Sequence, residues 1–307
     1  VKSRIYIIVP TLNACSDWVR FAPALLANIS PGQVLVIDSS SNDGTQELAQ
    51  AAGFAVRTIP RPEFNHGGTR QLGIELLSDA DIVVFLTQDA ILADSEAIDR
   101  LTSAFDDLSI GAAYGRQLPR PEAGPIEVHA RLFNYGERSD VRTIEDRERL
   151  GFKSIFISNS FAAYRRSALL AVGGFPSDVI FGEDTVVAAR LLLADWKIAY
   201  VGEARVYHSH PHSVMQEFQR YFDIGVLHAR EAWLKEKFGS TGSEGMRFVR
   251  SELEYLWRVD RWLIPLALLR TASKWLGYRL GMKEADLNVR WKQRLSMHSR
   301  FWSEADR

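Results

Sequence analysis

Three polar clusters interrupt the apolar runs of this 307-residue chain, and each holds residue types that can do chemistry. In VVFLTQDAILAD, residues 83–94, a strand-like run stops on Thr87-Gln88-Asp89. A lone carboxylate at a strand end can hold a hard divalent ion, Mg2+ or Mn2+, when phosphate oxygens and water complete the shell. In VYHSHPHS, His208, His210 and His212 alternate, so an extended chain puts all three on one face. One or two of them can serve as metal ligands or diphosphate contacts; the plainer reading is a histidine-rich surface turn. In GGFPSDVIFGED, Glu183 and Asp184 stand at the start of an amphipathic helix after a glycine-rich loop. Acids favour a helix start through the dipole alone, which suffices for Glu183. Asp184 is the better candidate for a general base, with a carboxylate expected to stay ionised at neutral pH.

Two further stretches suit a nucleotide. VIDSSSNDGT ends a strand on Asp38, and an ionised Asp can accept hydrogen bonds from a base N–H or a ribose hydroxyl. Asp and Ser after a strand also serve as plain caps and turns. FNHGGTRQLG places Gly67 and Gly68 just before a helical segment, where free amides and close backbone approach suit an anion. His66 and Arg70 flank them, and a guanidinium matches diphosphate oxygens well. A glycine turn with surface charges is the alternative.

The elements that must position these residues are legible in the periodicity. Short β-rich runs alternate with helical patterns of about a dozen residues from RIYIIVP onward, which predicts a mostly parallel, helix-flanked α/β sheet. Function in such sheets sits at the carboxyl ends of the strands. That is where Pro10-Thr11-Leu12-Asn13, Asp38-Ser39-Ser40-Ser41 and Thr87-Gln88-Asp89 fall. Residues 117–155 form a charged excursion with a helix expected near 126–137. Beyond about residue 212 strands stop, giving an expected domain at 1–212 and a helical C-terminal region at 213–307.

Composition narrows the function classes. The net charge of −1 argues against nucleic acid as a partner, and the single cysteine, Cys15, rules out a disulfide framework and a cysteine-based zinc site. The chain opens on a strand-like run with no secretory leader pattern, so a cytoplasmic location is expected. Its longest apolar stretch, residues 262–280, is interrupted by Pro265, Arg270 and Lys274 and does not read as a membrane span. From Met246 to Arg307 there are 13 Lys or Arg against 7 Asp or Glu, interleaved with Trp257, Trp262, Trp275, Trp291 and Trp302. That mixture suits helices lying on an anionic membrane surface, or packing on the catalytic domain or in a homo-oligomer.

In order, IIVPTLN, VIDSSSNDGT, TR before a helix, a strand ending in Asp, GGF and then ED resemble the family 2 glycosyltransferases of the GT-A fold, across about residues 4–212. FNHGGTR, FLTQDA and SNSFAAYRR resemble more narrowly the bacterial rhamnosyltransferases of O-antigen and cell-wall polysaccharide synthesis. The resemblance implies an inverting transfer from a nucleoside diphosphate sugar, dTDP-L-rhamnose, to a glycan or lipid-linked glycan acceptor. It makes Asp38 the base- and ribose-binding acid with Thr11 beside the nucleotide, and Arg70 a contact to the nucleotide or its diphosphate. Asp89 becomes the last acid of the DxD-type metal motif, and Asp184 the catalytic base. The first acid of that motif is missing here, since Thr87 and Gln88 stand before Asp89, so His208 or His210 would supply a second metal ligand and Gln88 would face the nucleotide sugar. Asn159, Ser160, Phe181 and Glu183 are expected along the acceptor. Two alternatives remain open on sequence: a sugar nucleotidyltransferase, although VPTLNACSDW lacks a glycine-rich phosphate loop, and a non-catalytic nucleotide- or carbohydrate-binding module.

Overall fold

The structure, a computed structural model, describes residues 3–239 and 242–304. Nine strands form one sheet: β1 Ile5–Thr11, β2 Val34–Asp38, β3 Ala55–Thr58, β4 Ile82–Leu86, β5 Ile91–Leu92, β6 Ile110–Leu118, β7 Asp140–Arg142, β8 Phe161–Arg165 and β9 Lys197–Tyr207. Their order is β3-β2-β1-β4-β8-β6-β9-β5, with β7 also pairing with β9. Strands β3, β2, β1 and β4 are parallel. Strand β8 runs antiparallel to β4 and β6, and β6 and β9 are parallel again. The expected mostly parallel sheet is therefore present, with antiparallel strands where the chain returns from its charged excursion. The helix of that excursion spans Pro125–Asn134.

Both faces of the sheet are covered, which is why its central strands read as continuous apolar runs. Successive residues face opposite sides. Ile8, Ile37 and Phe85 pack with Val186 and Leu191 of the helix Glu183–Leu193, whereas Ile7, Val36 and Val84 pack with Trp18, Phe21 and Leu25 of the helix Cys15–Leu26. These layers fix the strand ends that carry the polar residues.

From Val214 the described chain forms helices and no strands. The first, Val214–Arg230, begins on a reciprocal cap in which Ser213 accepts from the Gln216 amide and the Gln216 side chain accepts from the Ser213 amide. It packs backbone-close against the helix Ile264–Gly281. A Cβ at Gly281 would stand 2.0 Å from the Phe222 carbonyl oxygen, and one at Gly277 would stand 2.3 Å from that of Phe218, so only glycine permits this approach. The helical region joins the sheet domain through two apolar clusters, Ile180 with Phe222, Val226 and Trp302, and Ile126 with Leu256 and Ala267.

Candidate active site

The loops after β1 and β2 are stitched together by short polar side chains. Thr11 donates its hydroxyl to Asp38 at 2.8 Å, and Ser41 donates both its amide, at 2.8 Å, and its hydroxyl, at 2.6 Å, to the same carboxylate. Asn13 and Ser40 both have positive φ, 51° and 58°, a left-handed backbone that costs energy in non-glycine residues and clusters at binding sites. Asp38 is fully buried, and it orders the loop that a nucleotide would meet. Gln88 clamps the neighbouring turn: its amide oxygen accepts from the Leu12 amide at 2.7 Å and its NH2 donates to the Leu12 carbonyl at 3.1 Å. Sequence reasoning put Gln88 on the nucleotide sugar; its side-chain amide is instead committed to the backbone.

Asp89 follows that turn, and the histidines after β9 come to meet it. The Asp89 carboxylate lies 3.1 Å from His210 Nε2 and 3.5 Å from His208 Nε2, and one ligand atom from each of the three residues falls within 4.8 Å of the others. His212 stays outside this cluster. The tautomer of His208 follows from its surroundings. Arg131 donates to Gln117 Oε1 at 2.5 Å, and Gln117 donates its NH2 to Ser158 at 2.9 Å, so the amide orientation is fixed. Its oxygen faces His208 Nδ1 at 2.9 Å, which must therefore carry the proton and leave a lone pair on Nε2. Burial depresses the pKa of both rings, that of His210 to about 4, so both are neutral near pH 7. Although burial opposes its charge, Asp89 is held well below the usual carboxylate range. His210 Nε2 lies 3.0 Å from His208 Nε2, so His210 carries the proton between them until an ion takes its place; one carboxylate oxygen and two imidazole nitrogens are a donor set that suits a divalent ion.

The base end lies across the Ser158-Asn159-Ser160 segment, which touches both sides. Ser158 accepts from Gln117, the Ser160 carbonyl accepts from the Thr87 amide at 3.3 Å, and the Asn159 amide donates to Asp184 at 3.2 Å. Asp184 also accepts from the Thr185 amide at 2.8 Å. Burial, and then the neighbouring charge of Glu183, push the Asp184 pKa up to about 7. That upward shift runs against the expectation of a carboxylate fully ionised at neutral pH and moves the group toward the range where a general base works well.

Arg70 is also reassigned. Only 6% exposed, it forms an ion pair with Glu183 at 2.9 Å and donates to the His66 carbonyl at 2.9 Å, so its charge is spent beneath the site and not offered to a diphosphate. Although burial opposes its charge, Glu183 is held ionised by Arg70, with Asn159 donating to it. The side chains of Glu183 and Asn159, expected along the acceptor, are buried in this network, where Asn159 donates to Glu183 at 3.0 Å and accepts from Tyr164 at 2.8 Å. Nor do the two glycines form a phosphate loop. Both lie inside the helix His66–Leu76, where a Cβ on Gly67 would stand 1.7 Å from the Pro176 oxygen and the Gly68 amide is capped by Asn65 at 2.8 Å. His66 joins an aromatic group with Phe64, Phe181 and His298, and burial lowers its pKa to about 4. Ser160 and Phe181 remain half-buried.

The sequence and the fold match known proteins. Residues 6–173 fit the pattern of glycosyl transferase family 2. The chain is 46% identical over 302 residues to the O-antigen chain rhamnosyltransferase RfbN of Salmonella typhimurium, covering 98% of this chain and 96% of that one. The chain belongs to glycosyl transferase family 2. It is also 30% identical over 224 residues to an N-acetylglucosaminyl-diphospho-decaprenol L-rhamnosyltransferase of Mycobacterium tuberculosis, covering 63% of this chain and 72% of that one. Among solved structures, a mannosyltransferase from Pyrobaculum calidifontis in complex with GDP-Man and Mn2+ shares the fold at a TM-score of 0.58 and 18% identity, over 100% of this chain and 87% of the other. The family 2 glycosyltransferase thus keeps the GT-A-type sheet and adds C-terminal helices.

Three residues of the transferase's site escaped sequence reasoning. Gln117 and Arg131 orient His208, and nothing in YGRQLPR distinguishes that glutamine from a strand-end polar residue. Arg220, from the helix Val214–Arg230, lays its guanidinium over Phe181 at 5.0 Å from the ring centroid. Among the described residues it has no acid within 4.0 Å, and Phe181, on which it lies, packs in turn against His66.

Proposed function

We propose that this transferase moves L-rhamnose from dTDP-L-rhamnose to a hydroxyl of a lipid-linked glycan in bacterial polysaccharide synthesis, working at a membrane surface, with inversion at the anomeric carbon. The supporting observation is 46% identity, over nearly the full length, to an O-antigen rhamnosyltransferase in a chain that sets Asp89, His208 and His210 across one short segment from Asp184. Membership of the family sets aside the nucleotidyltransferase and the non-catalytic module.

Asp184 takes the proton of the acceptor hydroxyl as that oxygen bonds to C1 of the sugar. The C1–O bond to the diphosphate breaks on the opposite side, and the nucleoside diphosphate leaves with the electron pair. The loop of Ser41, held in place from beneath by buried Asp38 and Thr11, borders the base and ribose. Asp89, His208 and His210 would hold Mn2+, which supplies charge neutralisation for the departing diphosphate. Arg220 provides the fixed cation that Arg70 cannot, because its guanidinium is not cancelled by a carboxylate. Ser160 and Phe181 border the acceptor.

The test is transfer from dTDP-L-rhamnose, with other nucleoside diphosphate sugars as competitors, and determination of the product's anomeric configuration by NMR. An inverted rhamnoside formed best with Mn2+ is expected. A retained configuration would exclude the single displacement, and preference for another donor would exclude rhamnose.

A further inference from the structure

The helix Ile264–Gly281 contains no acidic residue, and half of its circumference is locked onto Val214–Arg230 through Gly277 and Gly281. A helix packed on one side should be polar on the other. Here the outward residues are Pro265, Leu268, Leu269, Ala272, Trp275 and Leu276. Spacings of three and four put them on one stripe. Leu269 is 55% and Trp275 63% exposed, and just before the helix Trp262 is 81% exposed. Only Arg279, at the end of the stripe, adds an exposed charge; the helix's other two cations turn inward, where Arg270 pairs with Glu127 at 3.4 Å and Lys274 with Glu217 at 3.5 Å. An apolar face of this size on a folded chain marks a contact surface.

We infer that this face docks the transferase on an anionic bilayer, with Trp262, Trp275 and the leucines in the interface and exposed Arg258, Arg261, Arg279 and Lys283 at the headgroups. Two of these cations already lie against the aromatic anchors, Arg261 at 5.5 Å from the Trp262 ring and Arg279 at 5.8 Å from the Trp275 ring. Charge decides between a bilayer and a second copy of the chain. Two such faces brought together would oppose cations to cations, whereas anionic headgroups complement them. The helix lies on the surface, since no described helix is long and apolar enough to cross a membrane. This inference specifies the surface contact of the proposed function and rests on that reading only for why the enzyme visits lipid.

The test is flotation of the full chain with vesicles of phosphatidylcholine alone or with phosphatidylglycerol added, beside transfer to a water-soluble acceptor. Binding to the phosphatidylglycerol vesicles is expected, weakened by salt. The pair Leu269→Glu and Trp275→Glu, both on the exposed stripe, should reduce partition at least tenfold while leaving the melting temperature and transfer to the soluble acceptor unchanged. Arg258→Gln with Arg279→Gln should remove the preference for phosphatidylglycerol. Parent protein that stays unbound, or Glu variants that float as well as the parent, would overturn the assignment. So would a parent dimer in sedimentation equilibrium that the Glu variants dissolve, because a second copy would then cover the face. Failure of rhamnosyl transfer with flotation intact would leave the docking face standing and remove only the donor assignment.

Discussion

The two ends of the active site treat a carboxylate in opposite ways. Asp89 is ionised, and its carboxylate and two neutral imidazoles each bring one ligand atom to the same point. Asp184 stands beside a second acid whose compensating arginine is already engaged, so its proton is held up to about pH 7. Burial acts on both. What differs is the nearest neighbours, neutral imidazoles beside one acid and an ionised glutamate beside the other, and in the proposed mechanism that difference suits the first to hold a cation and the second to accept a proton.

The largest way to break this contrast is Asp184→Asn, which preserves shape and removes proton acceptance. Turnover should fall by about 10²-fold or more, with Mn2+ and nucleotide affinity unchanged; calorimetry beside steady-state kinetics separates the two. Because native Asp184 binds its proton more tightly than the unfolded chain does, raising the pH from about 4 to about 7 removes stability. The Asn variant should therefore melt higher than the parent at pH 8.

At the other end, His208→Ala should lower Mn2+ affinity by about 10²-fold. Gln117→Leu, which touches only the far nitrogen of that ring, should cost about 10- to 100-fold. Equal affinities in the parent and both variants would show that the histidines hold no ion.

A subtler change sharpens the base end. Turnover of the parent should rise with pH through a limb near 7, the Asp184 pKa. Glu183→Gln removes the adjacent negative charge and frees Arg70, so the limb should move to lower pH. The same change strands a buried guanidinium, at a stability cost on the order of 3 kcal/mol. A limb that stays in place would assign it to another group. The smallest effect is expected from Arg220→Gln, a loss of about tenfold in turnover with unchanged Mn2+ affinity.

What could be read from sequence was the place where apolar runs stop. Asp38, Asp89 and Asp184 stand out because a carboxylate directly after a buried strand or at the head of an apolar helix has few structural reasons to be there. The pairing of Asp89 with His208 and His210 was legible by residue type, although five strands and several helices separate them. Arg70 was misread because an arginine after two glycines looks the same whether its guanidinium faces solvent or a buried glutamate. Its partner, Glu183, lies far along the chain, and only packing brings them together. Gly67 misled for a related reason: the backbone that approaches it belongs to Pro176 and not to a phosphate. Arg220 had no signal, being one cation among many in an amphipathic helix until the fold set it on Phe181.

The division of labour between the two ends is tested most directly by Mn2+ titration of the parent, Asp89→Asn and Asp184→Asn proteins, each with and without thymidine diphosphate. The parent should bind Mn2+ weakly alone and more tightly with nucleotide, with the reciprocal gain in nucleotide affinity that linkage requires. Asp184→Asn should keep that coupling and Asp89→Asn should lose it. Absence of coupling in the parent, or its loss in Asp184→Asn with retention in Asp89→Asn, would contradict the account.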